Sequence, residues 1–328
     1  MPTNLPPECL EAEKRYREAK STEEKIARLE DFLATIPKHK GTDKLRADYR
    51  RRLSQLKASS QKSKKAGRHE SAFHIEKEGA GRAVLVGLPN VGKSALLAAL
   101  THATPQVSES PYSTWTPTPG MMPVEDVQIQ LIDTPPLDQE HVEPELLDLI
   151  RSADLVLLVI DLQDNPIQQL EDTVAILHEH QILPRREKNQ NAAQPHEAFL
   201  PFMVVVNKTD DENLEEDYQV FRELFAEEWS LVAVSAQTHR NFEQLKKVVF
   251  ENLGIMRIYS KPPGKEPDLG TPFVLKKGST VADLAAKVHK DFFEKFKTAR
   301  VWGSGVYEGQ MVSRDHVLQD GDVVELHI

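Results

Sequence analysis

Five short apolar segments recur through the middle of the chain. They are Arg82–Val86, Val127–Ile132, Leu155–Ile160, Phe202–Val206 and Leu231–Val234. Apolar runs of this length, rich in valine, leucine and isoleucine, are typical of strands that are buried on both faces. The pattern therefore predicts an α/β fold, with a mostly parallel sheet and flanking helices.

The chain before these strands has helical periodicity instead. Its apolar residues recur at intervals of three and four, which places each set on one face of a helix. The first set is Ile26, Leu29 and Leu33, and the second is Leu45, Tyr49, Leu53 and Leu56. Pro37–Gly41 interrupts the pattern. We therefore expect an N-terminal helical hairpin, followed by a flexible linker over Ser59–Gly67.

The end of the chain predicts a smaller, mixed sheet. Thr280 is a typical N-cap residue, and the helix that it begins is expected to continue to about Phe293. One side of that helix carries Val281, Leu284, Val288 and Phe292. Short strands are expected at Pro272–Lys276, Ala299–Trp302 and Val323–Ile328. This order fits a β-grasp domain that binds a partner and has no second active site.

The loop after the first strand carries a phosphate-binding motif. Its sequence over residues 87–94 is GLPNVGKS, which matches G-x-x-x-x-G-K-[ST]. The glycines let backbone N–H groups approach a phosphate chain, and the helix that follows adds the positive end of its dipole. Lys93 is expected to reach the β- and γ-phosphates, and the Ser94 hydroxyl to bind Mg²⁺. The motif predicts a nucleoside triphosphate site.

The sequence Asn207-Lys208-Thr209-Asp210 indicates which base is bound. A carboxylate accepts two hydrogen bonds from the N1–H and the 2-amino group of guanine, and adenine has no equivalent pair of donors. We expect Asp210 to select guanine, Asn207 to connect the base to the phosphate loop, and the Lys208 stem to lie over the ring. Such a site rejects the wrong base by roughly 10⁴-fold.

Three further segments occur in the order that such a site requires. Ser235-Ala236-Gln237 follows a strand, and the Ala236 amide is expected to meet the guanine O6. Asp133 follows the second strand and is expected to hold Mg²⁺ through a water molecule. Thr114 is expected to complete the Mg²⁺ shell when a γ-phosphate is present. The complete set expected at the nucleotide is Gly87, Pro89, Asn90, Val91, Gly92, Lys93, Ser94, Ala95, Asn207, Lys208, Asp210, Ser235, Ala236 and Gln237.

The net charge, the cysteine content and the length of the apolar runs limit the classes of protein to which the chain can belong. The net charge is −10, yet residues 38–68 hold twelve basic side chains against two acidic ones. This basic segment is either a solvated helix face or a contact surface for RNA phosphates, and RNA binding would depend strongly on salt. Cys9 is the one cysteine, so a disulfide framework and a cysteine zinc site are excluded. The apolar runs are too short to span a membrane, and no signal peptide is evident.

The motifs together resemble those of the Obg-like GTPases, especially the branch of developmentally regulated GTP-binding proteins. The resemblance runs from about Glu24 to Ile328 and rests on GLPNVGKS, PYSTWTPTPG, DTP, NKTD and SAQ. The segments IYSKPPGK, GSTVADL, HKD, VWG and DHVL resemble the TGS domain that ends those proteins. The resemblance implies a cytoplasmic GTPase linked to ribosomes, translation or tRNA. Contact with rRNA or tRNA would use the basic segment and the TGS domain, and an unidentified protein partner is a further expectation.

This resemblance divides the chain into three expected parts. They are a helical hairpin with its basic linker over residues 1–78, a P-loop GTPase domain over residues 79–257, and a β-grasp TGS domain over residues 258–328. The interval between Asp133 and Asn207 is short, with room for a helix, a strand, another helix and the polar loop Arg185–Ala198. We therefore expect the chain to lack the extra domain that typical members insert there.

The chain departs from the family at the start of the second switch. Pro136 stands where the pattern D-x-x-G, which begins at Asp133, has its glycine. Proline has no backbone N–H, so the usual contact with the γ-phosphate cannot form. Leu137 stands where Ras-like enzymes have the glutamine that orients the attacking water.

Two functional interpretations follow from that departure. In one, the protein is a slow GTPase whose catalytic residues are Lys93, Thr114 and Asn90. Asn90 would bind a K⁺ ion that supplies positive charge, or its side chain would only cap the loop backbone. In the other, the protein is a GTP-gated binding protein with little or no intrinsic hydrolysis. A vestigial nucleotide site is disfavoured because all the base-selecting residues are present.

Overall fold

The computed structural model describes residues 73–103, 116–137, 142–189, 197–289 and 298–327, with a few isolated positions between 12 and 49. The chain divides into two compact units, Met1–Ala72 and Phe73–Ile328. In the first unit, Leu29 and Phe32 are buried helical residues, and the Phe32 ring meets the Tyr49 ring edge to face at 4.9 Å. Leu33 and Tyr49 are half-buried helical residues. The other apolar residues of the two expected helix faces, the flexible linker and the basic side chains of residues 38–68 lie outside the described residues.

In its described residues, the second unit contains a six-stranded sheet, a five-stranded sheet, a two-stranded sheet and the helices that accompany them. The helices α1 to α6 are Lys93–Leu100, Pro144–Arg151, Pro166–Glu179, Glu215–Phe225, Phe242–Leu253 and Val281–Val288. The strands β1 to β7 are Arg82–Val86, Thr118–Val124, Val127–Asp133, Leu155–Asp161, Ile182–Pro184, Ala198–Leu200 and Phe202–Asn207. The strands β8 to β13 are Ser230–Ala233, Ile255–Ser260, Asp268–Lys276, Thr298–Trp302, Gln310–Val312 and Val323–His327.

The larger sheet has the strand order β2-β3-β1-β4-β7-β8, and every neighbouring pair except β2 and β3 is parallel. Alternate side chains of each strand enter different cores, because successive residues point to opposite faces. Ala83 and Leu85 pack in the core that includes residues of α1 and α5, whereas Val84 and Val86 pack in the core that includes residues of α2 and α3. The predicted α/β fold with a mostly parallel sheet is confirmed.

The edge strand β2 was not expected from the sequence. It contains Pro119 and Pro123, which argue against a strand, yet it pairs with β3 without interruption from Thr118 to Val124. Proline is tolerated on an edge strand because one side of that strand makes no ladder hydrogen bonds. The pairing brings the chain directly from the expected Thr114 segment, residues 111–117, into the sheet.

The stretch between β3 and β7 differs from the sequence prediction at its polar end. The predicted helix, strand and helix are α2, β4 and α3. The polar loop expected over Arg185–Ala198 begins as a 3₁₀ helix at Arg185–Asn189 and is bordered by β5 and β6, which pair in parallel. Strands of three residues are too short to show a period in the sequence.

The smaller sheet has the order β10-β9-β13-β11-β12, and α6 packs in its apolar core. A capping box of Thr280 and Asp283 begins α6, as expected from the threonine. The expected helix end at Phe293 is wrong, because α6 ends at Val288 and the backbone of His289 is extended, with φ −169° and ψ 148°. The apolar spacing continues past this point and cannot show where the backbone leaves the helix.

A charged junction joins the two sheets. Arg257 of β9 has a side chain that is 15% exposed, and it lies between the β2–β3 turn and Asp320. Its guanidinium donates to Asp126 at 3.1 Å, to Asp320 at 2.7 Å and to Glu125. The Tyr259 hydroxyl also donates to Asp126. Burial and this contact raise the pKa of Tyr259 to about 12. We refer to Glu125, Asp126, Arg257, Tyr259 and Asp320 as the hairpin junction.

Candidate functional site

The loop between β1 and α1 has the backbone that a phosphate-binding loop needs. Gly92 adopts φ 93°, in the left-handed region, immediately before α1. A Cβ atom at this position would lie 2.2 Å from Nδ2 of Asn207. That amide donates to the Val91 carbonyl oxygen at 2.9 Å. Glycine is therefore required here for both its backbone angle and its close approach to β7.

Lys93 and Ser94 occupy the first turn of α1. Lys93 is buried, and its ammonium donates to the carbonyl oxygens of Gly87 at 2.9 Å and Leu88 at 2.8 Å. The ammonium thus lies inside the curve of the loop. The Ser94 hydroxyl donates to Oδ2 of Asp133 at 2.5 Å. The structure therefore brings together these three side chains, which come from α1 and the end of β3.

The environment of Asp133 fits a hard cation. Its side chain is fully buried, and Oδ1 makes no hydrogen bond with any described residue. Burial raises the pKa of this carboxyl, and the Ser94 hydrogen bond and the charge of Lys93 oppose the rise only in part. An orphaned carboxylate oxygen next to a serine hydroxyl is the oxygen-rich environment that Mg²⁺ prefers. Ser94 and Asp133 are therefore suited to hold Mg²⁺.

Within the described residues, no group of three or more histidine, cysteine, aspartate and glutamate side chains could hold a metal ion. A Mg²⁺ ion at Ser94 and Asp133 would therefore take most of its ligands from phosphate oxygens and water, as Mg²⁺ commonly does. Thr114, the third expected ligand, lies outside the described residues.

In the part of the chain that the structure describes, no helix combines the length and apolar composition that crossing a bilayer requires.

The residues expected at the base lie at the ends of β7 and β8. The Ser235 hydroxyl donates to Oδ1 of Asp210 at 2.5 Å, and the Ala236 amide donates to Oδ1 of Asn207 at 3.2 Å. The Thr209 hydroxyl donates to the Val234 carbonyl at 2.8 Å. These contacts join the NKTD and SAQ segments, and Asn207 connects both of them to the phosphate loop. Gln237 follows as an exposed residue.

Sequence reasoning missed two polar residues that support the base segments. The Arg240 guanidinium donates to the Thr209 carbonyl at 3.4 Å and to Glu215 at 2.7 Å. Asp161, at the end of β4, forms an ion pair with Lys208 at 2.5 Å. The signal for Asp161 was its place directly after the apolar run of β4, at the same edge of the sheet as Asn207.

The two residues that depart from the family pattern are buried. Pro136 is buried, and Leu137 is completely buried in the apolar core that also contains Val86 and Ile132. Leu137 therefore takes a packing position, and an apolar side chain cannot orient water. Asn90, by contrast, is exposed with φ 62°, and its side chain makes no hydrogen bond with another described residue. Pro89 and Ala95 are half-buried, and Val91 is buried.

Comparison with known proteins covers both sheets. Residues 82–208 match the family of 50S ribosome-binding GTPases, and residues 256–328 match the TGS domain. A GTP-binding protein of Methanocaldococcus jannaschii is 32% identical, over 93% of this chain and 93% of its own. Developmentally-regulated GTP-binding protein 1 of Xenopus laevis is 27% identical, over 92% and 98%. A GTP binding protein structure from Pyrococcus horikoshii OT3 is 18% identical over 75% and 99%, with a TM-score of 0.48.

The alignment with the Methanocaldococcus protein also bears on the length of the chain. It extends over 365 positions, whereas this chain has 328 residues, so the relative contains segments that this chain lacks. The identity and coverage with that relative, together with the two matched domains, place the chain in one family. It belongs to the Obg-like GTP-binding proteins of the developmentally regulated type, which join a P-loop GTPase domain to a C-terminal TGS domain.

Proposed function

We propose that the protein is a slow molecular switch that hydrolyses GTP to GDP and phosphate with Mg²⁺ and is stimulated by K⁺. The observation that carries this proposal is the connection through Asn207. One end of its side-chain amide contacts the phosphate loop at Val91, and the other contacts the base segment at Ala236. A guanine base and a Mg²⁺-bound phosphate chain would therefore be held in one fixed relation.

The chain's own residues would act mainly by position and charge, which is how most phosphoryl transfer is catalysed. Lys93 would exchange its two carbonyl contacts for β- and γ-phosphate oxygens. The loop amides would donate to the same phosphates, and Thr114 is proposed to close the site from the neighbouring segment. Mg²⁺ held by Ser94 and Asp133 would neutralise charge on the phosphates. Asp210 would accept from the guanine edge while Ser235 fixes its carboxylate.

At the two positions where related GTPases contact the γ-phosphate and orient the attacking water, this chain has residues that can do neither. Pro136 offers no N–H and Leu137 is committed to the core, so intrinsic hydrolysis is expected to be slow. Asn90 supports a cation-assisted route, because its side chain is exposed on the phosphate loop and bonds no described residue. A K⁺ ion bound there would add positive charge beside the γ-phosphate, where other GTPases use an arginine.

The first test is multiple-turnover GTP hydrolysis with Mg²⁺, in KCl and in NaCl at equal ionic strength. We expect turnover to be about tenfold faster in KCl, because a bound cation stabilises charge in the transition state. Asn90→Ala is expected to remove the difference between the two salts. Asn165→Ala, at an exposed asparagine with a similar positive φ, serves as the matched control and should keep it. Equal rates of the unmodified protein in both salts would contradict K⁺ stimulation.

A second candidate function is a GTP-gated binding protein with little intrinsic hydrolysis. The buried DTPP sequence favours it, because the glycine amide of D-x-x-G is replaced by proline at residue 136. In this case bound GTP would act by ordering the Thr114 segment for a partner.

If Pro136 is what blocks hydrolysis, Pro136→Gly should raise single-turnover GTP hydrolysis by about tenfold, because it restores a backbone donor for the γ-phosphate. Pro135→Gly is the matched control, since it removes the neighbouring buried ring without providing a glycine at the family position. An unchanged rate in Pro136→Gly, with GTP still bound, would count against this second function.

The remaining assignments concern partners and organisation. We propose the three parts 1–78, 79–257 and 258–328, and a cytoplasmic protein that contacts ribosomal RNA or tRNA. The basic segment, residues 38–68, supports RNA contact by its charge, and such binding weakens steeply as salt increases. The match to the 50S ribosome-binding GTPases over residues 82–208 supports the ribosome as the place where this contact occurs. Contact with the same RNA through the TGS domain, and an unidentified protein partner, are also proposed.

A further inference from the structure

We propose that Asp161, Leu162 and Gln163, where β4 passes into the turn before α3, form a supporting wall of the guanine pocket. In this arrangement Asp161 is a positioning residue that holds the Lys208 stem across the face of the base. The inference rests on guanine nucleotide binding at the NKTD segment. It goes beyond that function because it assigns a role to residues that no nucleotide-binding motif contains.

The sheet places this turn beside the NKTD segment. In the parallel pair of β4 and β7, Asp161 lies in register with Asn207, so both strands end at the same level. Ligands of open α/β sheets bind at this edge, outside the carboxyl ends of the strands. The Leu162 amide donates to the Asn207 carbonyl at 3.2 Å. The turn is therefore attached to the first residue of the base-binding segment.

Lys208 is held at both of its ends. Its carbonyl oxygen accepts a hydrogen bond from Nε2 of Gln163 at 2.8 Å, and its ammonium donates to Oδ2 of Asp161 at 2.5 Å. The backbone of Lys208 has φ 62°, which a residue other than glycine adopts only when its surroundings hold it there. The four-carbon stem therefore runs between a held backbone and an anchored ammonium, which restricts the rotamers that it can sample.

Asp161 is rigid enough to act as the anchor. Its side chain is 10% exposed, whereas that of Lys208 is 36% exposed. The other carboxylate oxygen, Oδ1, accepts a hydrogen bond from the backbone N–H of Gln163 at 2.9 Å. The backbone N–H of Asp161 donates to Oε1 of the buried Gln169 at 2.9 Å. A buried carboxylate, with a hydrogen bond to each of its oxygens, therefore anchors the more exposed lysine. A lysine anchored in this way has less side-chain freedom to lose when a base packs against it, so the anchor lowers the entropy cost of binding.

The test is the affinity for GDP that carries a fluorescent N-methylanthraniloyl group on its ribose, measured by titration with the full chain. Asp161→Asn is expected to weaken binding about tenfold, because a hydrogen bond to a charged group is lost and Lys208 becomes mobile. Asp164→Asn is the matched control. It removes the same charge from an exposed position of the same turn that does not contact Lys208, and it should bind like the unmodified protein.

A double-mutant cycle with Lys208→Ala separates positioning from a general loss of structure. If Asp161 acts through Lys208, the double variant should bind no more weakly than Lys208→Ala alone. The inference would be overturned if the loss of GDP affinity in the double variant equalled the product of the losses in the two single variants. It would also be overturned if Asp161→Asn bound GDP with unchanged affinity. Should Asp161→Asn fail to fold, Gln163→Leu tests the other end of Lys208 and is expected to weaken binding about threefold. If the unmodified protein bound no GDP, the proposed function itself would fail.

Discussion

Replacing Asp210 by asparagine is expected to weaken GTP binding by about 10⁴-fold and to create affinity for xanthosine triphosphate. Guanine carries an amino group at C2, and the Asp210 carboxylate is the group expected to accept from it. Xanthine has a carbonyl oxygen at the same place, to which an asparagine amide can donate. The substitution therefore exchanges an acceptor for a donor at one point of the pocket and leaves the phosphate site unchanged.

The structure explains why this change should not disturb the fold. The Ser235 hydroxyl donates to Oδ1 of Asp210, and the carbonyl oxygen of an asparagine would accept the same hydrogen bond in a weaker form. Affinities for the two nucleotides, measured by calorimetric titration, give the exchange in specificity directly. Asp211→Asn makes the same charge change at the next, exposed residue and should retain the preference for GTP. Unaltered GTP affinity in Asp210→Asn would show that the base binds elsewhere.

Arg257→Ala is expected to lower the free energy of unfolding by about 2 kcal/mol, between the values for exposed and for buried ion pairs. The guanidinium forms ion pairs with three carboxylates, those of Glu125, Asp126 and Asp320. Its removal leaves Asp126 and Asp320, which are both partly shielded from water, without their common cation. Glu125 and Asp126 lie on the β2–β3 turn, whereas Asp320 lies beside β9. The loss of Arg257 therefore also loosens the contact between the two sheets.

Urea-induced unfolding measures this effect through the shift of the transition midpoint. Arg300→Ala, at an exposed arginine of the same smaller sheet, is the matched control and should change stability by less than about 0.5 kcal/mol. Asp126→Asn separates the contact between the sheets from the contact with Asp320, and we expect it to lose part of the same stability. A midpoint for Arg257→Ala equal to that of Arg300→Ala would mean that the hairpin junction contributes little.

The sequence was most informative where chemistry is local. The GLPNVGKS and NKTD segments contain their own strand ends, turn residues and side-chain chemistry, and the structure places Lys93, Ser94 and Asn207 in one connected site. The buried strands were predictable for a similar reason, because continuous apolar runs have few alternatives once helices separate them. Thr114 stays a prediction, since it lies outside the described residues.

The parts that could not be predicted depend on contacts between distant segments. Asp161 contacts Lys208 because β4 and β7 are neighbours in a particular register, and no local pattern contains that register. Arg257 meets the β2–β3 turn across more than a hundred residues of chain. The edge strand β2 was hidden by its prolines, and the end of α6 by an apolar spacing that continues beyond the helix.

The prolines of β2 have a further effect at high protein concentration. The ladder to β3 is continuous from Thr118 to Val124, so the N–H groups that Pro119 and Pro123 lack belong to the outer side of the strand. An exposed strand normally offers a regular row of donors to which another chain can add. Here that row is interrupted twice within seven residues. The edge formed by β2 is therefore protected from self-association and aggregation.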